Sequence, residues 1–397
     1  MPSSRKEDPE QPRRPAPPES RGEDGHGSLD ESSRRIAHEA SQIFETPRPS
    51  PLQILARGVL VVLLLILIFG VLIPQFADYS EVWSAIQSLT WTAIFLLTAL
   101  TILIELFKSE APNLLIDRLR LGLAFLAQEA SALVSNTIPG PTGVITRYGI
   151  YRRYGIDLED FSSAAVVNSA WTNLIPLLLP SIAVPLAATQ ETVPDRVVLL
   201  TVAALILSVL AIATAISIVR SERFARWFGE HAAQFVNWMR GLVNRPPTTT
   251  VGEAVVRFRF EVADTAREHG LKLTLVVVGR EFTTFLALLV SVRALDISRS
   301  ELTAIELLAC YSVVRLLTIV EITPGNVGIA EALYIRTLSW SAPDAGESTI
   351  VAAVFVFRMF TYLGPIIMGG GCWLYLRRYL RLHPVEAEPA VGDTPSS

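Results

Sequence analysis

Lysine is almost missing from this chain. Lys6, Lys108 and Lys272 are the only three in 397 residues, and arginine supplies the remaining positive charge. The formal net charge is −4, so there is no basic footprint for nucleic acid. Cysteine is equally sparse. Cys310 and Cys372 both fall in apolar stretches and read as small buried hydrophobes. They make no disulfide framework, and no Cys/His spacing suggests a metal site. The five histidines, His26, His38, His231, His269 and His383, lie in the tails or in one polar insertion. No Ser-His-Asp arrangement, phosphate-cradling glycine loop or metal cluster stands out. The chain is therefore expected not to be an enzyme, and no catalytic residue, metal or cofactor is nominated.

What is present is apolar. Half of the residues are hydrophobic, and Leu60 to Phe69 is an unbroken apolar run. Several windows exceed the roughly 18 residues that suggest a membrane span. Probable spans lie at 52–73, 91–107, 162–187, 197–219, 271–292 and 349–376. Residues 1–50 and 383–397 are rich in Pro, Ser, Glu and Arg and are expected to be disordered tails. Residues 51–382 form the membrane domain, with halves at about 51–190 and 195–382. An insertion at 220–270 mixes Phe224, Trp227, Phe228, Phe235, Trp238 and Met239 with Arg223, Arg226, His231 and Arg240. That spacing predicts an interfacial amphipathic helix, followed by a second over 251–269.

One pattern occurs twice. Thr137-Ile138-Pro139-Gly140-Pro141-Thr142-Gly143-Val144 returns 185 residues later as Ile322-Thr323-Pro324-Gly325-Asn326-Val327-Gly328-Ile329. Proline and glycine break helices. A broken helix in lipid is tolerated where the freed backbone lines a cavity or is buried in protein. Pro139, Gly140, Gly143, Pro324, Gly325 and Gly328 are therefore expected to line one. The stretches holding them, about 121–146 and 302–340, read as re-entrant hairpins. Basic residues at Lys108, Arg118, Arg120, Arg147, Arg152 and Arg153 all stay on one side only if the first hairpin enters and leaves from that side. The expected fold is all-α: a polytopic membrane helical bundle of about six full spans plus two re-entrant or broken hairpins in an inverted repeat. Both termini are expected in the cytoplasm of a multi-pass protein of the cytoplasmic membrane.

Charges inside apolar stretches need an account, because each costs several kcal/mol unless paired or wetted. Glu129 and Arg315 stand at near-equivalent positions of the two halves. Arg280 and Glu281 are mid-span, as is Arg358, and Glu105, Glu306, Glu321 and Glu331 lie nearer interfaces or breaks. A guanidinium fork suits a phosphate or a carboxylate. Arg315, Arg358 and Arg280 are the candidates for headgroup contact, with Glu129 and Glu281 as their partners in the empty state or as partners of a cationic headgroup. Asn136 and Glu321 stand three residues before each break and complete the candidate substrate-binding set.

Ser135-Asn136-Thr137-Ile138-Pro139-Gly140-Pro141-Thr142-Gly143 with Arg147, and Pro324-Gly325-Asn326-Val327-Gly328 with Glu331, resemble the flippase-like transmembrane region of lysyl-phosphatidylglycerol synthases. The similarity covers roughly residues 52–380. Val144 stands where that family commonly has a glutamate. The resemblance implies a stand-alone membrane domain that moves a phospholipid or another phosphate-bearing lipid between leaflets. Its partners would be the lipid, the bilayer, and either a second copy of the chain or a separate lipid-modifying enzyme. Two other readings are a membrane enzyme acting on a lipid-linked substrate and an assembly or regulatory subunit.

Overall fold

A computed structural model describes residues 83–84, 86–137, 142–189, 195–242, 268–319 and 323–382. Expectations for the two tails, for span 52–73, for nearly all of 251–269, and for Pro139, Gly140 and Glu321 lie outside these residues. Among the described residues all regular structure is helical. In chain order the helices are α1 (Trp91–Leu115), α2 (Leu121–Thr137), α3 (Thr142–Arg152), α4 (Leu158–Ala188), α5 (Asp195–Arg220) and α6 (Glu222–Leu242). They continue with α7 (Gly270–Ala294), α8 (Ala304–Leu317), α9 (Ile329–Ser341), α10 (Glu347–Arg358) and α11 (Gly364–Leu382). A short 3-10 turn, Pro324–Asn326, stands between α8 and α9, and a π-helical turn, Met359–Leu363, joins α10 to α11.

Four of these stretches are long and apolar enough to cross a membrane: Trp91–Leu115, Leu158–Ala187, Gly270–Ala294 and Glu347–Arg378. Expected span 197–219 is helical within α5, of which Leu205–Thr214 is an apolar core. The first of the four corrects the sequence reading. The helix expected at 91–107 runs on to Leu115, so Lys108 sits on a helix and not in a loop. Its ammonium bonds Glu105 Oε1 at 2.6 Å, one turn back. That pairing neutralises the charge and lets the helix continue. Within the stretch 220–270, the aromatic residues Phe224, Trp227 and Phe228 stand side by side on α6.

Helices α2 and α3 fold back on each other. Arg147 Nε reaches Ser131 Oγ at 3.2 Å, and a Cβ on Gly143 would meet the Ser135 Cβ. The register 131 to 147 and 135 to 143 is that of an antiparallel hairpin. Helices α8 and α9 do the same: Asn326 Nδ2 bonds the Thr318 carbonyl at 2.8 Å, and Cys310 Sγ lies 3.2 Å from Ser341 Oγ. Each hairpin packs on the last long helix of the other half, α2 on α11 and α8 on α4.

The two ends of the bundle carry different clusters. At one end Ile116, Leu119, Ile150, Tyr151, Ile156, Phe161 and Leu376 pack together. Towards the other, Leu97, Leu288, Leu295, Ile297, Leu302, Ala342 and Ile350 belong to the main core. The open end of the α2–α3 hairpin lies in the first cluster and that of α8–α9 in the second. Long helices α1 and α7 lie against each other between them.

Candidate functional site

The second break shows how the chain is re-aimed. Gly325 has φ 58° and Gly328 φ 86°, values that favour glycine. Asn326 is also left-handed, with φ 53°, and its side chain caps the end of α8 through Thr318. Asparagine is among the few other residues that tolerate this region. The backbone N–H of Gly328 is taken by Glu331 Oε2 at 2.6 Å, a capping arrangement at the start of α9. The other oxygen of Glu331 accepts from Arg358 Nε at 2.6 Å, and Arg358 also bonds the Gly325 carbonyl at 2.8 Å. The break and the arginine thus fix each other.

Arg358 stands at the last residue of α10, directly before the π turn. Such wide turns occur often at functional sites. Tyr362 in that turn lies under the guanidinium, 5.1 Å away, and Thr101 of α1 donates to the Phe360 carbonyl at 3.3 Å.

Arg280, Glu281 and Arg315 form a second knot. Arg315 grips the Glu281 carboxylate side-on, with Nε 2.8 Å from Oε2 and Nη2 2.8 Å from Oε1. Arg280 Nη2 shares Oε1 at 2.6 Å, and the Tyr311 hydroxyl donates to Oε2 at 2.8 Å. Arg280 Nη1 reaches Thr172 Oγ1 on α4 at 3.3 Å. One buried carboxylate therefore serves two guanidinium groups. The Arg315 and Arg358 Nη1 groups have no hydrogen-bond partner among the described residues.

Both knots open onto one cavity of about 330 Å³. Among the described residues, Lys108, Arg280, Arg315 and Arg358 line it against a single carboxylate, Glu281. Counted over the described residues, four cations and one anion give the lining a formal charge of +3. Glu105 and Glu331, bonded behind Lys108 and Arg358, reduce the local sum to +1. Arg280 is eleventh in α7, so it sits about 15 Å along a 1.5 Å rise. That is near the middle of a hydrocarbon core about 30 Å thick.

The structure thus brings together Arg280, Glu281, Arg315 and Arg358, with Gly325 also on the wall. Gly328 lies beside it at the start of α9, and Gly143 is buried between α2 and α3. Glu129 is buried on α2 and does not line the cavity, although Ala132, nearly one turn on, does. Pro324 belongs to the 3-10 turn, and Asn136 to α2. Lys108, Thr172, Asn173 and Tyr334 also line the wall and were missed from sequence. A signal existed for Lys108: it follows Glu105 by three residues in an otherwise apolar window.

The family described as Lysylphosphatidylglycerol synthase TM region matches residues 54–369. The chain belongs to this family. No curated protein matches, and no solved structure does.

Proposed function

We propose that this membrane protein carries a lipid with a phosphate-bearing headgroup between the two leaflets. The observation behind this reading is the cavity whose described wall sets three arginines and one lysine against one carboxylate. An excess of guanidinium donors in a low-dielectric site is complementary to an anion. Nη1 of Arg315 and of Arg358 are the donors left for it. The phosphate sits between them, the Glu281 knot holds Arg315 and Arg280 in place, and the acyl chains stay in lipid.

In this reading the two hairpins are re-entrant and the halves form an inverted repeat. Their opening at opposite ends of the bundle supports it, as does the common order of long helix, two short helices and long helix. The end carrying Arg118, Arg120, Arg152, Arg153, Arg377 and Arg378 is the cytoplasmic one. The membrane is then the cytoplasmic membrane. Moving the hairpins against the long helices alternates access to the cavity.

The test is lipid scrambling in proteoliposomes holding labelled phosphatidylglycerol. Loss of one charge-assisted phosphate contact is worth about 1.5–3 kcal/mol, or roughly ten- to hundredfold. Arg315→Ala and Arg358→Ala should each lose about that much rate while the protein stays monodisperse. Full activity in both variants would overturn the headgroup assignment. No movement of any lipid by the wild type, with or without an ion gradient, would overturn the transport reading.

A further inference from the structure

Behind the cavity wall lies a second buried polar cluster that the headgroup site does not use. Glu129 is fully buried, and neither of its carboxylate oxygens has a hydrogen-bond partner among the described residues. Glu105, on α1, faces it. It is 1% exposed, and its Oε2 is likewise without a partner, while its Oε1 accepts from Lys108. The elements packed on α2 present few other charges to Glu129. Helix α1 brings Glu105 and Lys108, α3 brings Arg147, α11 brings Cys372, and the Pro324–Asn326 turn brings none. Arg147 gives its Nε to Ser131.

Three adjacent carboxylate oxygens without donors are an unstable arrangement in a site closed to water. Two carboxyls in contact cannot both remain ionised there, and a shared proton resolves the conflict. One proton on Glu129 supplies the missing donor: its O–H bonds to the free Oε2 of Glu105, while Oε1 keeps Lys108. A metal ion fits less well. Hard cations take about six or more oxygens, and Lys108 and Arg147 already place two positive charges beside the pair.

We propose that Glu105 and Glu129 form a proton-binding pair that couples lipid movement to a transmembrane proton gradient. The proposal rests on the transport reading above. Its link to the cavity is Lys108, which touches both: its ammonium is held by Glu105, and it lines the headgroup site. When the proton leaves, a second negative charge stands behind Lys108 and holds it away from the phosphate. When the proton binds, Lys108 keeps Glu105 Oε1 but faces one negative charge instead of two, so more of its positive charge acts on the anion. Proton and lipid anion therefore bind cooperatively, and by linkage each raises the affinity for the other. One proton and one monoanionic lipid crossing together move no net charge.

Two measurements separate this proposal from the reading it rests on. Infrared difference spectroscopy of the purified protein should show a protonated carboxyl at neutral pH that disappears in Glu129→Gln. Binding of glycerol 3-phosphate should weaken as the pair loses its proton, by about 5- to 150-fold in all, and Glu129→Gln should flatten that dependence whatever its absolute affinity. Glu105→Gln is the second variant, should Glu129→Gln fail to fold. In vesicles, an imposed pH gradient should drive wild-type lipid in the direction of proton flow. Wild-type transport indifferent to the gradient would overturn the coupling and leave the transport reading standing. Absence of the carboxyl band would overturn the proton site itself. Absence of all transport would overturn both the reading and the coupling.

Discussion

Glu281 is where the energetics of the site concentrate. It is buried, it bonds Arg280, Arg315 and Tyr311, and it is the sole carboxylate on the cavity wall among the described residues. Removing one partner of a buried ion pair costs more than the pair contributes, because the other charge is left behind. Glu281→Gln leaves two guanidinium groups without an anion between them. Arg315 is 29% exposed and the cavity hydrates it, so the cost should fall at the low end, about 3 kcal/mol. Thermal unfolding in detergent reads it. Glycerol 3-phosphate in excess should then stabilise this variant more than the wild type, since the anion replaces the lost charge. An unchanged midpoint would mean that the two arginines do not depend on Glu281. At this scale the sequence was informative wherever a charge interrupted an apolar window, which is how Arg280, Glu281, Arg315 and Arg358 could be nominated. It was uninformative about partners. Glu129 and Arg315 hold near-equivalent positions, yet one meets a second carboxyl and the other meets its counter-ion. Which helix faces each residue is a tertiary fact.

The elements are held at the breaks by contacts that tolerate little substitution. Glu331 ties the Gly328 N–H at the start of α9 to Arg358 on α10. Glu331→Ala removes a cap and a buried counter-ion together. A cap alone is worth about 0.5–2 kcal/mol, so a loss of about 2 kcal/mol or more is expected in the unfolding midpoint, and Glu331→Gln should recover only the cap's share. Gly369 makes the other tight contact. A Cβ there would run into the Glu129 carbonyl oxygen, backbone that cannot step aside. Gly369→Ala should push α11 off α2 and destabilise by about 1–3 kcal/mol, the usual cost of overpacking. Gly370→Ala, with open space around it, is the matched control and should be nearly silent. The breaks were legible in sequence because Pro-Gly is strong local chemistry. The π turn was not: no proline or glycine lies within Met359–Leu363. Its widening is read only from the Thr101 bond to the Phe360 carbonyl and the placement of Arg358.

For the whole molecule, the proposed alternation of access rests on where the two hairpins open. If both hairpins opened at the same face, the cavity would have a closed floor and could only bind. Here the α2–α3 hairpin opens among Ile116, Ile150 and Leu376, and the α8–α9 hairpin opens among Leu302, Ala342 and Ile350. In the proposed transport reading, each face of the bundle would then have its own gate. Labelling with a membrane-impermeant maleimide tests the membrane orientation, in a background lacking Cys372. Cys310 can stay, because it is buried. Arg118→Cys and Arg153→Cys should react in inside-out vesicles only, and Arg299→Cys and Asp344→Cys in right-side-out vesicles only. If Arg118→Cys and Arg153→Cys reacted from opposite sides, α2 and α3 would cross the membrane as one span, and the two-gate arrangement would fall. The sequence suggests the proposed topology through the 185-residue offset and the bias of arginines to one side. The swapped packing, with each hairpin resting on the last long helix of the other half, was beyond its reach. In the proposed mechanism that packing couples the two gates: a hairpin that leans on the opposite long helix cannot move without shifting it.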